Sequence, residues 1–367
     1  GRDLNTNDER QPSLVLTELM NYLEGATGWQ RSAIRALPLQ PFSRVNYQGP
    51  EPSFDPGWLR LTEAGGARDQ AQRLPPPETE PEGLTLEQLV RALENPARHH
   101  AHQRLGLYLE ESELPELEDV EPFAASHLSR YLLQQALIQC RLEGTDETPI
   151  LERARLSGEL PEHAPMATEL AHWRGQAEEF ADALDASGVA GTQSQAVEHR
   201  IDGLTLSAEL PLAPDGRVIL WRMANPRGKD LLRFWCHHLL ANLDQQRPTV
   251  SIHRGRDGAL RVLQLEPMAA GDAEGELIRL VQAWRESLCE PSRLHGDLVR
   301  ALADKGAEAE EAQRVKALRD AWLGDSYNGF PGVKDDAYIG WFFGEDTDLP
   351  SLLAALEALY GRLIETL

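Results

Sequence analysis

Several groups of residues have the types, and nearly the spacing, that chemistry would need. His99, His100 and His102 stand together. Imidazoles on one helix face bind a transition metal at i,i+3 or i,i+4 spacing with further ligands completing the shell, and only His99 with His102 meets that spacing. No HExxH or equivalent surrounds them, so they read as a solvated or partner-facing patch. His237 and His238 lie on a helix, one expected in the core and its neighbour exposed, neither placed for catalysis. Glu209 and the pair Asp335-Asp336 are carboxylates of the kind that Mg²⁺, a hard cation, requires for phosphodiester hydrolysis. Arg254 and Arg256 flank Gly255 at a hairpin tip, a local cationic spot suited to a phosphate contact. Trp341-Phe342-Phe343 could stack on bases, but beside a final amphipathic helix the triplet reads as core. Cys140, Cys236 and Cys289 are far apart with no CxxC pair, which argues against a zinc site or a disulfide framework and for a reducing cytoplasm. No cofactor is indicated.

The elements that must position these residues centre on Arg200 to Leu243. That stretch reads as a strand (Gly203 to Leu210), a Pro-Asp-Gly turn (Pro214 to Gly216), a second strand (Arg217 to Trp221) and an amphipathic helix from Asp230 to Leu243. Gly188 to Gln195 reads as a loop leading in. A second hairpin is signalled by TVSIHRGRDGALRVLQL, with Gly255 to Gly258 at its turn. Upstream, Ser13 starts a helix closed by Gly25, and Leu74 to Pro81 is a proline-stiffened linker. Thr85 caps a helix with Leu86, Leu89, Val90 and Leu93 on one stripe and Glu87 paired with Arg91 on the other face. Helices follow at Ala124 to Glu143, Pro149 to Ser157, Ala167 to Ala186, Ala273 to Leu288, Leu294 to Leu302, Ala307 to Leu323 and Leu349 to Leu367. The pattern predicts an α/β chain with few strands and many helices. Its domains are residues 1-83, a tail of something larger with the linker, and residues 84-367, one compact domain.

Composition narrows the function. With 36 Lys and Arg against 59 Asp and Glu, the net charge is -23, and the pI is near 4.9. Phosphate affinity comes from clustered cations, so any nucleic-acid contact is local. The run from Glu110 through Glu111, Glu113, Glu116, Glu118 and Asp119 to Glu121 meets no basic residue and reads as a solvated loop. No apolar run approaches membrane length and the N-terminus lacks a signal peptide, which predicts a cytoplasmic chain without membrane contact. The turn-rich opening decapeptide predicts a chain that starts mid-protein.

The run LTLEQLVRALENPARHHAHQRLGLYLEE, from Leu84, resembles the start of RecB-type nuclease domains. Together with LPLQPFS (Leu37 to Ser43), DVEPFAASHLSRYLLQQ (Asp119 to Gln135), ARLSGELPEHA (Ala154 to Ala164) and Asp335-Asp336-Ala-Tyr-Ile, the chain resembles the C-terminal part of the RecC family. Its members are the gamma subunits of the bacterial RecBCD helicase-nuclease, exodeoxyribonuclease V.

The resemblance implies a PD-(D/E)xK nuclease-like fold, a small central mixed sheet flanked by many helices, that is catalytically degenerate. RecB-type strands carry Gly-x-Ile-Asp and Asp-Tyr-Lys; here the metal-binding Asp is replaced by Leu210 or Pro211 and the second motif by Trp221, Arg222 and Met223. Lys229 comes too late for the catalytic Lys. Glu209 is one residue out of register and so points to the opposite face, unless a β-bulge at Pro211 restores it. The implied role is non-catalytic: a scaffold bound to RecB-like and RecD-like helicase subunits that splits duplex DNA at a fork and guides the single strands, in recombinational repair. The competing expectation is an active Mg²⁺-dependent exonuclease rebuilt around Glu209 or Asp335-Asp336.

Overall fold

The computed structural model describes residues 11–34, 38, 40, 43–48, 52–63, 73–109, 126–158, 160, 164–255, 257–306, 308–325, 330–344 and 347–367. The acidic run from Glu110 to Glu121 and Arg256 lie outside them. The chain divides into two compact units, Gly1–Gln70 and Ala71–Leu367. In the first, α1 (Leu14–Thr27) is capped by Ser13, whose hydroxyl accepts from Leu16 N. The helix runs through Gly25 and ends at Gly28, whose φ of 71° supplies the left-handed exit that Gly25 was expected to provide. A second helix, α2, spans Pro56–Glu63.

In the second unit the stretch expected to be a linker is pinned down. Leu74 N donates to the Cys289 carbonyl at 2.8 Å, Arg104 holds the Pro75 carbonyl, and Glu80 pairs with Arg285 at 2.5 Å. Strand β1 (Gly83–Thr85) leads directly into α3 (Leu86–Glu94). Thr85 and Gln88 form a reciprocal capping box there, each side chain taking the other residue's backbone N–H. Asn95 breaks that helix and caps the next, α4 (Pro96–His100), which loosens into a π-helical turn over Ala101–Leu105. Helices α5 (His127–Glu143), α6 (Thr148–Leu156) and α7 (Ala164–Ala186) follow.

The sheet then begins earlier than expected. β2 (Gln193–Ile201) and β3 (Leu204–Leu212) form a long hairpin, so the last three residues of the stretch read as a loop, from Gln193 to Gln195, are strand. Its two-residue turn is Asp202-Gly203, with φ of 49° and 85°, the left-handed pair that a tight turn of this hand demands. β4 (Val218–Arg222) leads to α8 (Gly228–Asp244). β5 (Thr249–Arg254) and β6 (Leu260–Leu265) form the second hairpin. The remaining helices are α9 (Ala270–Cys289), α10 (Gly296–Ala303) and α11 (Glu311–Leu323). A two-residue ribbon of β7 (Gly324–Asp325) and β8 (Phe330–Pro331) precedes α12 (Ala337–Phe343) and α13 (Leu349–Thr366).

Sheet order is β1-β3-β4-β5-β6, with β2 on the other edge of β3. β1 with β3 and β4 with β5 are parallel, and the remaining pairs are antiparallel. Alternation along β4 divides the core in two. Val218 joins α3, α8 to α13 and the β3 residues Leu204, Leu206 and Leu210 on one face. Ile219 and Met223 join Val250, Ile252 and α5 to α7 on the other. α8 carries buried residues all round, from Leu231 through Phe234, Trp235 and Cys236 to Ala241, as a helix enclosed by protein must. Burial pushes the Cys236 thiol up to about 12, so it behaves as an apolar side chain.

Candidate functional site

The sheet is split beside Glu209 and Pro211, among the positions that the resemblance singled out. β3 touches β4 only at Leu212–Val218, and β1 covers the same edge of β3 only from Thr205 to Ser207. Backbone groups of Glu209 and Pro211 therefore face a gap. Register fixes this: the two-residue turn makes Ile201–Leu204 the first hydrogen-bonded pair with β2, so residues 205, 207, 209 and 211 address the far edge. Pro211, with no N–H to offer, suits such a position. Pairing with β2 is unbroken from Gln193–Leu212 to Ile201–Leu204, so there is no bulge at Pro211. Leu210 is 3% exposed in the core, and Glu209 is exposed on the opposite face, its carboxylate accepting from Ser194 at 2.8 Å.

Across the split, Trp221 packs on Phe180, and Met223 is buried in the same core. Arg222 donates to both carboxylate oxygens of Asp230 at 2.8 Å and lies over the Tyr131 ring. His237 fills the gap from α8: its Nδ1 meets the Arg233 carbonyl at 2.8 Å, and it also interacts with the Glu209 carbonyl, standing in for the missing strand partner. Both His237 and His238 are buried, contrary to expectation, because α8 has no solvent face at that depth. His238 bonds Thr249 Oγ1 at 3.0 Å.

Two clefts flank this split, and Glu87 stands between them. Its carboxylate takes a bidentate pair from Arg233 (2.8 and 2.9 Å), Lys229 at 3.3 Å and Arg91 at 3.6 Å. Burial pushes the Glu87 carboxyl up, but hydrogen bonds and charge from Arg233 and Lys229 outweigh it and hold the group below the usual carboxylate range. The first cleft, about 880 Å³, is lined by Glu87, Glu209, Ser194, Pro211, Arg233 and His237 among others. The second, about 870 Å³, gathers Arg91, Arg98, Arg222, Arg227 and Lys229, with Glu94 and Asp230 as the acids on its wall among the described residues. Sequence reading missed this cluster. Its signal was there: Lys229 and Arg233 are like charges one helical turn apart, an arrangement that needs an anion opposite.

The histidine patch is internal. The Ser287 hydroxyl donates to the Trp284 carbonyl at 2.6 Å, so His99 Nδ1, 2.7 Å from that hydroxyl, is the donor. His100 Nδ1 donates to the Ser287 carbonyl at 3.0 Å. The Tyr338 hydroxyl accepts from Leu109 N and shares a hydrogen bond with His102 Nε2 at 2.7 Å. His99 and His100 thus both bond Ser287 while His102 faces Tyr338, and among the described residues no three His, Cys, Asp or Glu side chains are grouped to hold a metal. Asp336 caps α12 and accepts from Asn95, while Asp335 is bound to Lys334 and Gly332 N. Arg254 donates to the Gly258 carbonyl of its own turn at 3.2 Å. Trp341 is 58% exposed, against the core reading; only Phe342 and Phe343 pack inward, the latter under Arg293. The three cysteines are free and buried, and no helix among the described residues is long and apolar enough to cross a membrane.

Residues 81–307 match the model of the RecC C-terminal domain. The chain is 29% identical over 313 residues to the RecBCD enzyme subunit RecC of Escherichia coli (strain K12), covering 79% of this chain and 27% of that protein. It is 22% identical over 385 residues to the RecBCD enzyme subunit RecC of Haemophilus influenzae, covering 99% of this chain and 33% of the relative. The chain thus spans about a third of these relatives or less.

Proposed function

The chain belongs to the RecC C-terminal domain family, and from that premise we propose that it is a DNA-handling scaffold domain built on a nuclease-type core without nuclease chemistry. The observation that carries this reading is the split between β3 and β4. A two-metal nuclease needs carboxylates converging there; this chain offers Leu210 and Met223 to the core, Trp221 to Phe180, and Arg222 to Asp230. A guanidinium in place of an acid repels a divalent cation. The cationic cleft beside the split supports a local contact with the phosphodiester backbone, since it concentrates five cations in a chain of net charge -23. Within a RecBCD-like assembly the domain binds RecB-like and RecD-like helicase subunits, holds the fork and guides single strands, and cleavage belongs to the partners.

The test is binding of a single-stranded oligonucleotide by the full chain, followed by anisotropy across a salt series. Replacing Arg91 and Arg227, the exposed pair, by Gln weakens binding and lowers the salt slope by about 1.4, roughly 0.7 for each cation removed from a single strand. An unchanged slope overturns the cleft contact. Cleavage of the oligonucleotide in Mg²⁺ that disappears in Glu209→Ala overturns the non-catalytic reading and favours the rebuilt exonuclease.

A further inference from the structure

His253 is out of place for a core residue. It is the penultimate residue of β5, beside Arg222 of β4, is 4% exposed, and its buried Nδ1 has no hydrogen-bond partner. A buried imidazole nitrogen left unpaired is destabilising, a penalty that the buried His100 and His238 avoid by finding Ser287 and Thr249. The ring lines a cleft of about 690 Å³ at the C-terminal ends of the parallel strands β4 and β5, the place where open α/β sheets put their ligands. Around it stand Arg261 of β6 and Arg300 of α10, with Asn225 from the loop after β4. Leu231, Val262 and Leu263 form an apolar side.

The field at the ring is positive. Burial lowers the pKa of His253, Arg261 and Arg300 lower it further, and Asp230 and Asp304 oppose them less. Both cations keep donors free for a ligand. Arg261 meets Asp257 through one nitrogen at 2.8 Å, and Arg300 meets Asp304 only at 3.4 Å. The cleft therefore offers an imidazole, the Asn225 amide and two guanidinia, with their partners Asp257 and Asp304 on the same wall.

We propose that this cleft binds a phosphomonoester dianion, free or at the end of an oligonucleotide, with Arg261 and Arg300 clamping its oxygens and His253 hydrogen-bonding one of them. Guanidinia match tetrahedral oxyanions through paired N–H donors, and an imidazole beside a dianion gains a proton more readily, so binding tightens as pH falls. Arg261, Arg300, Asp230, Asp257 and Asp304 are the charges that face the ring and set that response. The site is separate from the β3–β4 split and from the cationic cleft, and does not rest on how those act.

The test uses the full chain with ¹⁵N-labelled histidine, the His253 signal being assigned by its loss in His253→Gln. Inorganic phosphate, a 5′-phosphorylated oligonucleotide and the same oligonucleotide without its phosphate are titrated in turn. The expected result is that the first two shift the His253 resonance and raise its pKa, and that the third does not. Arg300→Gln and the exposed Arg261→Gln each weaken binding at least about tenfold, the worth of one charge-assisted hydrogen bond. Response to phosphate alone identifies a free phosphate ligand, and response to both identifies a strand end. A resonance unmoved by phosphate, moved alike by both oligonucleotides, or moved as strongly in the two arginine variants overturns the proposal.

Discussion

At the scale of single residues, the histidines give the clearest consequence. Burial, and then the charges of His100 and His102, push His99 down to about 4; burial and then Arg362 push His238 down to about 4. Each is therefore neutral in the folded chain while the unfolded chain takes up a proton near 6.5. Between those values the unfolded state binds more protons, so folding stability is full above pH 6.5 and falls as pH drops toward 4, by about 1.4 kcal/mol per pH unit for each ring. Urea unfolding followed from pH 7 to 4.5 measures this. His99→Gln with His238→Gln flattens the curve, at the cost of a lower plateau, and a slope unchanged by the double variant refutes the assignment. The positions of these rings were not legible in the sequence for a physical reason. Their partners lie far along the chain, Ser287 at 188 residues from His99 and Tyr338 at 236 from His102, and helical spacing says nothing about such contacts. The cap at Thr85 was legible because Gln88 is three residues away.

Elements carry the fold, and what could be read of them followed the same divide. The helices α5 to α11 and the β5–β6 hairpin announced themselves through apolar periodicity and a Gly-bounded turn. β2 did not, because Gln193 to His199 is exposed or half-buried and shows no apolar alternation. The Asp202-Gly203 turn was the local signal for it, overlooked for want of a second apolar strand. The β3–β4 split was hidden altogether, since pairing beyond Leu212–Val218 depends on α3 and α8 filling the gap. The tightest join between elements is where α8 meets α10. A Cβ on Gly228 would lie 1.9 Å from the Gly296 carbonyl carbon and 2.4 Å from Asp297 N, so the backbones touch and no side chain fits. Gly228→Ala is expected to cost more than about 3 kcal/mol, beyond ordinary single substitutions. Gly275, exposed within α9, has nothing within 4 Å of its Cβ position, and Gly275→Ala is expected to stabilise by about 0.5–1 kcal/mol. Denaturant midpoints of the two variants decide it; equal effects would mean the α8–α10 contact is not tight.

For the whole molecule, the question is where the independent folding unit begins. Composition suggested a break at residue 84, after the proline-rich stretch, because Pro-rich segments without apolar periodicity read as spacers. Contacts put weight earlier. Leu74 N on the Cys289 carbonyl, Arg104 on the Pro75 carbonyl, Arg73 on Glu286 and Glu290, and Glu80 on Arg285 tie residues 73 to 80 to α9 and the turn after α4. The ion pairs are largely exposed and contribute little. The two backbone carbonyl contacts are each worth about 1 kcal/mol net, and Arg285 also bridges to Asp202 at the β2–β3 turn, so the stretch braces the hairpin that frames the split. We expect a chain of residues 71–367 to unfold in one cooperative step. Starting instead at residue 82, ahead of β1 and of the Glu82 carbonyl that Thr205 N donates to, removes both contacts of the stretch, exposes the Cys289 end of α9, and should lower Tm by a few degrees, given that about 1 kcal/mol moves even a domain of 150–250 residues by roughly 2–4 °C. Differential scanning calorimetry of the two chains distinguishes the cases. Coincident Tm values would restore the stretch to a spacer, and two transitions in the longer chain would place a further boundary inside it.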